Sequence, residues 1–90
     1  MQTYKFIIKG KVQGVWYRKF VSESAKEEGF KGYIKNLPNK SVEALVNIKD
    51  ESELKRFIEI LKKGSPYSEV KEINYQKTEN QNFEDFEIRY

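Results

Sequence analysis

The hydrophobic period switches repeatedly along these ninety residues, and that succession constrains the fold more than any single motif. Alternation at period two places every second side chain on one face of a strand, whereas recurrence near 3.6 makes a helical stripe. Tyr4, Phe6 and Ile8 alternate with Thr3, Lys5 and Lys9, which predicts a first strand over Gln2–Lys9. Gly10 to Val15 then reads as a loop. Tyr17, Phe20, Val21, Ser24 and Ala25 follow at helical spacing, with Gly29 placed to end the helix. A second strand is expected over Phe30–Leu37 and a tight turn at Pro38-Asn39. The third strand, Ser41–Ile48, turns Val42, Ala44, Val46 and Ile48 one way. Asp50 and Glu53 have capping-box spacing at the start of a second helix with the stripe Leu54, Phe57, Ile58 and Leu61. Gly64 and Pro66 close it. Val70, Ile73 and Tyr75 mark a fourth strand, and Phe86, Ile88 and Tyr90 a last one.

The order is β-α-β-β-α-β with an extra C-terminal strand. Two helices on one face of a mainly antiparallel sheet, the split βαβ pattern, make an α+β ferredoxin-like sandwich. Residues 1–90 are expected to form a single domain, because a chain of this length supports one core. That arrangement hosts many unrelated activities, so residues rather than fold must indicate function.

Absent residue types narrow the chemistry. The chain has no histidine and no cysteine, which removes Ser-His-Asp triads, thiolate nucleophiles, histidine or cysteine metal ligands and disulfides. Its only aspartates, Asp50 and Asp85, are far apart in sequence, so no Asp-x-Asp pair is present to hold magnesium. No metal and no cofactor is therefore expected. The net charge of +3 is a mild bias toward anions, too small to indicate nucleic acid. No apolar stretch is long enough to span a bilayer or to serve as a signal-peptide core, and a cytoplasmic protein is the expectation.

What remains suits electrostatic catalysis on an anion. Gly10-Lys11-Val12-Gln13-Gly14-Val15-Trp16-Tyr17-Arg18 joins a strand to a helix, and the first-turn N–H groups there form an anion site. Arg18 sits where a cation opposes the helix dipole, which makes sense if an anion lies between them. Of seventeen basic residues only Arg18, Arg56 and Arg89 are arginine, so a guanidinium here hints at bidentate oxyanion binding. Turn glycines and one arginine also occur at strand–helix junctions without a ligand. Spacing alone leaves both readings open.

Ile8 to Arg18, with its Val12-Gln13-Gly14-Val15-Trp16-Tyr17-Arg18 string, resembles the first signature of the acylphosphatase family. Gly32-Tyr33-Ile34-Lys35-Asn36, followed by Leu37-Pro38 and Ser41-Val42-Glu43, resembles the second. Length, element order and the Gly64-Ser65-Pro66 helix exit are similar too. The resemblance implies a ferredoxin-like enzyme that hydrolyses the carboxyl–phosphate bond of acyl phosphates without metal or cofactor. It implies that Arg18 grips the phosphoryl oxygens with backbone amides of Gln13, Gly14, Val15, Trp16 and Tyr17, while Asn36 orients the attacking water. The implied partners are a small acyl phosphate and the product, inorganic phosphate. A monomer is the default.

Four residues depart from the family's pattern: Lys40 stands at a hairpin glycine, Ile34 at a small residue, Ile48 near another glycine, and Tyr17 before the Arg where Phe or Met is commoner. Lys40 threatens strain at a left-handed position, which Asn39 can absorb. Gln13 is expected to shape the loop more than to touch substrate, and Tyr17 to belong to the core. The bland reading of Asn36 is a turn cap before Pro38. Two other functions stay open: an RNA-binding module of the same strand order, and an inactive domain that binds anions or a protein. Lys31-Gly32-Tyr33 opens like an RNA-binding aromatic motif, but it falls on the second strand and lacks the aromatics that should follow.

Overall fold

The computed structural model describes all ninety residues. Strands β1 (Gln2–Lys11), β2 (Gly32–Asn36), β3 (Val42–Ile48), β4 (Glu69–Lys77) and β5 (Phe86–Arg89) accompany helices α1 (Tyr17–Glu27) and α2 (Glu51–Lys63). The strand order is β4-β1-β3-β2-β5. All pairings are antiparallel except β2 with β5, which is parallel. This is the expected ferredoxin-like α+β fold with its added strand.

Local chemistry explains the helix ends. Asp50 caps α2 by accepting from the Glu53 N–H at 2.9 Å, and Glu53 reaches back to the Lys49 N–H at 2.7 Å. At the end of α1 the Gly29 N–H donates to Lys26 and the Phe30 N–H to Ala25, a complete Schellman closure. Phe30 thus serves the helix and cannot open the ladder, so β2 is shorter than the expected Phe30–Leu37. Conversely, β1 continues past Lys9 to Lys11. Gly10 lies in the strand instead of the loop, where the register against β4 slips between Lys9 and Gly10. A Cβ at Gly10 would stand 2.2 Å from the Glu69 carbonyl oxygen, so only glycine admits this bulge.

The β2–β3 hairpin has the turn expected at Pro38-Asn39, closed by Lys40 N–H to the Leu37 carbonyl at 3.2 Å. Asn39 does not absorb the left-handed conformation. Lys40 itself adopts it, at φ 71°, in the position where a type I turn passes into a bulge.

The core lies between the helices and one sheet face. Phe57 of α2 is its hub, with ring centroids 5.0 Å from Phe6, 5.2 Å from Phe30 and 6.1 Å from Phe86. Val42, Ala44, Val46 and Ile48 are buried as expected, and so is Ile34. Phe20 departs from its expected place: Tyr17, Val21, Ser22 and Ala25 are the buried residues of α1, leaving Phe20 38% exposed at the rim. Residues 78–85 cross from one sheet edge to the other, fastened where Asn80 Oδ1 accepts from the Thr3 N–H at 3.0 Å and Phe83 packs on Tyr33.

Candidate active site

The end of β1, the start of α1 and the ends of β2 and β5 meet at one edge of the molecule. Between β1 and α1 the chain turns through two left-handed residues, Gly14 at φ 72° and Trp16 at φ 64°. Trp16 is the N-cap of α1, yet no side chain caps this helix and its first turn holds no acid. No backbone carbonyl accepts from the N–H groups of Gln13, Gly14, Val15, Trp16 or Tyr17. Consecutive amides without internal partners, at the positive end of a helix dipole, form a concave site for oxyanions.

Four bonds and one close contact hold this loop in shape. Gln13 Nε2 donates to the carbonyls of Leu37 at 2.9 Å and Ser41 at 2.8 Å, tying the loop to the β2–β3 hairpin. The Tyr17 hydroxyl donates to the Leu61 carbonyl at 2.7 Å inside the core. Burial pushes the Tyr17 phenol well above its usual range, so it stays a neutral donor. Gly64 lies so close to the Tyr17 ring that a Cβ there would come within 2.6 Å. The Ser65 hydroxyl donates to the Val15 carbonyl at 2.6 Å.

Beside the loop is a cleft of about 440 Å³ lined by Val12, Gly14, Trp16, Tyr17, Arg18, Lys19, Asn36, Ile88 and Tyr90. That volume falls in the range of pockets that take small organic ligands. Arg18 and Asn36, the two side chains singled out from sequence, face the same space from α1 and β2. Arg18 Nη1 donates to the Arg89 carbonyl at 3.2 Å, and its guanidinium carbon stands 4.8 Å from the Tyr90 ring centre. No Asp or Glu side chain lines the cleft, so no acidic side chain neutralises the charge of Arg18 there. Asn36 Oδ1 is buried without a hydrogen-bond partner, and no bond links it to the Pro38 turn. A capping residue would bond a backbone N–H of the turn, and this oxygen bonds no protein group.

Of the loop residues, Gly14, Trp16 and Tyr17 line the cleft, whereas Gln13 and Val15 do not. Gln13 turns to the hairpin, in keeping with a loop-shaping part. The sequence reading missed Ser65, Ile88 and Tyr90. Alternation of Phe86, Ile88 and Tyr90 was visible, but only the parallel pairing of β5 with β2 brings their face to Arg18. Nothing in the sequence links Ser65 to Val15.

The sheet face away from the helices bears on the RNA-binding alternative. Its central positions on β1 and β3 are Lys5 opposite Leu45 and Ile7 opposite Glu43, while Phe6 turns into the core. Tyr33, the aromatic of the Lys31-Gly32-Tyr33 string, is only 8% exposed and covered by Phe83. Stacking of bases needs exposed aromatics on those central strands. They are missing.

No helix is long and apolar enough to cross a membrane, and no three acidic, histidine or cysteine side chains cluster. The family model described as Acylphosphatase matches residues 4–88. The chain is 37% identical over 90 residues to an acylphosphatase of Archaeoglobus fulgidus, and 36% identical over 91 residues to that of Thermotoga maritima. The first match covers all of both chains, the second all of this chain and 99% of the other. The crystal structure of acylphosphatase from Bacillus subtilis superposes over all of both chains with a TM-score of 0.91 at 35% identity. The same fold spans 12% of HypF from T. kodakarensis, with a TM-score of 0.77 at 35% identity over 98% of this chain. With its fold, both signature segments and full-length relatives in agreement, the chain belongs to the acylphosphatase family.

Proposed function

We propose that this protein hydrolyses acyl phosphates to a carboxylate and inorganic phosphate, with Arg18 and the loop amides holding the phosphoryl group and Asn36 positioning water. The observation that carries the reading is a buried, unpaired Asn36 Oδ1 in the same cleft as Arg18 and loop amides without internal partners. Each of these groups pairs with something in the reacting complex. Phosphoryl oxygens accept from the amides and the guanidinium, and Oδ1 accepts from the attacking water.

The water oxygen bonds to phosphorus as the bond from phosphorus to the carboxylate oxygen breaks. The leaving carboxylate is a weak base and needs no acid. With no Asp or Glu side chain in the cleft to act as base, the water proton passes to a phosphoryl oxygen of the substrate. Such a loose transition state rests on positioning and charge stabilisation, which this donor set supplies.

The test is phosphate release from benzoyl phosphate in the presence of EDTA. Wild-type turnover should be unchanged by the chelator. Arg18→Ala should lower kcat/KM by about 10³-fold, and Arg18→Lys should recover little, because an ammonium lacks the planar fork. A strict magnesium requirement would overturn the mechanism. Phosphate binding without turnover would instead indicate an anion-binding domain.

A further inference from the structure

The Ser65 hydroxyl lies outside the cleft and touches no proposed reacting group, yet it grips the site's backbone. Ser65 is 5% exposed, and its Oγ donates to the Val15 carbonyl at 2.6 Å, fifty residues away in sequence. Its own placement is fixed by a small ring. The Ser65 N–H donates to Ser68 Oγ at 3.0 Å, and Ser68 Oγ donates back to the Ser65 carbonyl at 3.0 Å.

The peptide linking Val15 to Trp16 is trans, as is every peptide in the chain. Across a trans peptide the carbonyl and the following N–H point in opposite directions. A hydroxyl that draws the Val15 carbonyl inward therefore turns the Trp16 N–H outward, on the side where Trp16 lines the cleft. Trp16 adopts a left-handed conformation that a bulky L residue seldom takes, so this orientation needs support from elsewhere. We propose that Ser65 is a positioning residue of the active site: it sets the Val15–Trp16 peptide so that the Trp16 amide faces the phosphoryl group. A flipped peptide would face its carbonyl toward the anion, replacing attraction by repulsion. The inference rests on the phosphate-binding reading of the cleft.

The test is titration of wild type, Ser65→Ala and Ser65→Cys with inorganic phosphate, followed by ¹H–¹⁵N NMR and by competitive inhibition of benzoyl phosphate turnover. In wild type the Trp16 amide should be among those that shift most. In Ser65→Ala the phosphate dissociation constant should rise about tenfold, the loss expected for one well-formed hydrogen bond, and the Trp16 response should vanish. Ser65→Cys, close in shape with a weak donor, should fall between the two and keeps the test in hand if alanine packs poorly. A role in stability alone would lower the melting temperature while leaving phosphate affinity and the Trp16 shift unchanged, and that result overturns the proposal. Absence of turnover with the Ser65 effect on phosphate intact would overturn the hydrolase reading and leave Ser65 in place. Wild-type phosphate affinity in Ser65→Ala with normal turnover would do the reverse.

Discussion

The side-chain amide of Gln13 donates to the Leu37 carbonyl at 2.9 Å, joining the loop that precedes Arg18 to the hairpin that carries Asn36. A second bond from the same nitrogen, to Ser41 at 2.8 Å, makes the link a clamp across the start of the hairpin turn. The two proposed reacting side chains come from different elements, so their spacing depends on this link.

Gln13→Ala should therefore cost about 1–3 kcal/mol of unfolding free energy, the range for losing two partly buried hydrogen bonds. It should also weaken phosphate binding and lower kcat together, because loop and hairpin lose their common reference. Urea unfolding and phosphate inhibition measure the two effects. A destabilised variant with wild-type phosphate affinity would show that the clamp serves stability only.

Features set by neighbours in sequence were legible before the structure. The Asp50 cap, the Pro38-Asn39 turn and the strand alternation each follow from residues within a few positions. Arg18 and Asn36 were legible through the resemblance of their segments, each a short continuous string. Long-range relationships were not legible. The Ser65–Val15 bond spans 50 positions and the Arg18–Arg89 bond 71, and neither residue type nor period encodes such a meeting. Phe20 fits the α1 period, but the cover that α2 and the sheet provide stops short of it.

The Tyr17 phenol makes stability depend on alkaline pH. Burial raises its folded-state pKa above the usual value near 10. Above that unfolded value the unfolded chain loses the proton while the folded chain keeps it, so the unfolded state binds fewer protons and stability falls as pH rises. The slope approaches about 1.4 kcal/mol per pH unit for this one group. Tyr33 adds in the same direction, through burial first and the neighbouring Glu43 second. Tyr17→Phe should be less stable at neutral pH, having lost the bond to Leu61, and should show a shallower decline between pH 10 and pH 11, a window set by about 10 as the unfolded pKa. Equal alkaline slopes in the two proteins would exclude Tyr17 as the source.

Lys40 holds φ 71° at the bulge position of the β2–β3 hairpin, where a side chain costs about 1 kcal/mol relative to glycine. Glycine there relieves the strain but gains freedom in the unfolded chain, which returns part of the benefit. Lys40→Gly should stabilise by about 0.5 kcal/mol and raise the melting temperature by roughly 2–4 °C. The side chain lies outside the cleft, so benzoyl phosphate turnover should not change. A lower melting temperature would mean that Lys40 contributes a contact outweighing its backbone cost.

Asn36 should matter little for stability and much for activity. Its Oδ1 is buried and bonded to no other protein group, so alanine would lose no hydrogen bond within the protein. Asn36→Ala removes the orphaned acceptor and leaves a small cavity beside an open cleft, so unfolding free energy should stay within about 1 kcal/mol of wild type, with either sign allowed by the two opposing terms. The hairpin should hold, because its turn is closed by the Lys40 N–H and the Gln13 amide rather than by Asn36. Catalysis should not hold. Loss of one preorganised hydrogen-bonding group aimed at the water should lower kcat by about 10²-fold, while phosphate affinity, set by Arg18 and the loop amides, stays near wild type. Steady-state kinetics with benzoyl phosphate, phosphate inhibition and thermal unfolding together decide the matter. A folded variant with wild-type kcat would remove Asn36 from the mechanism, and a parallel loss of phosphate affinity would mean that it holds the phosphoryl group instead of the water.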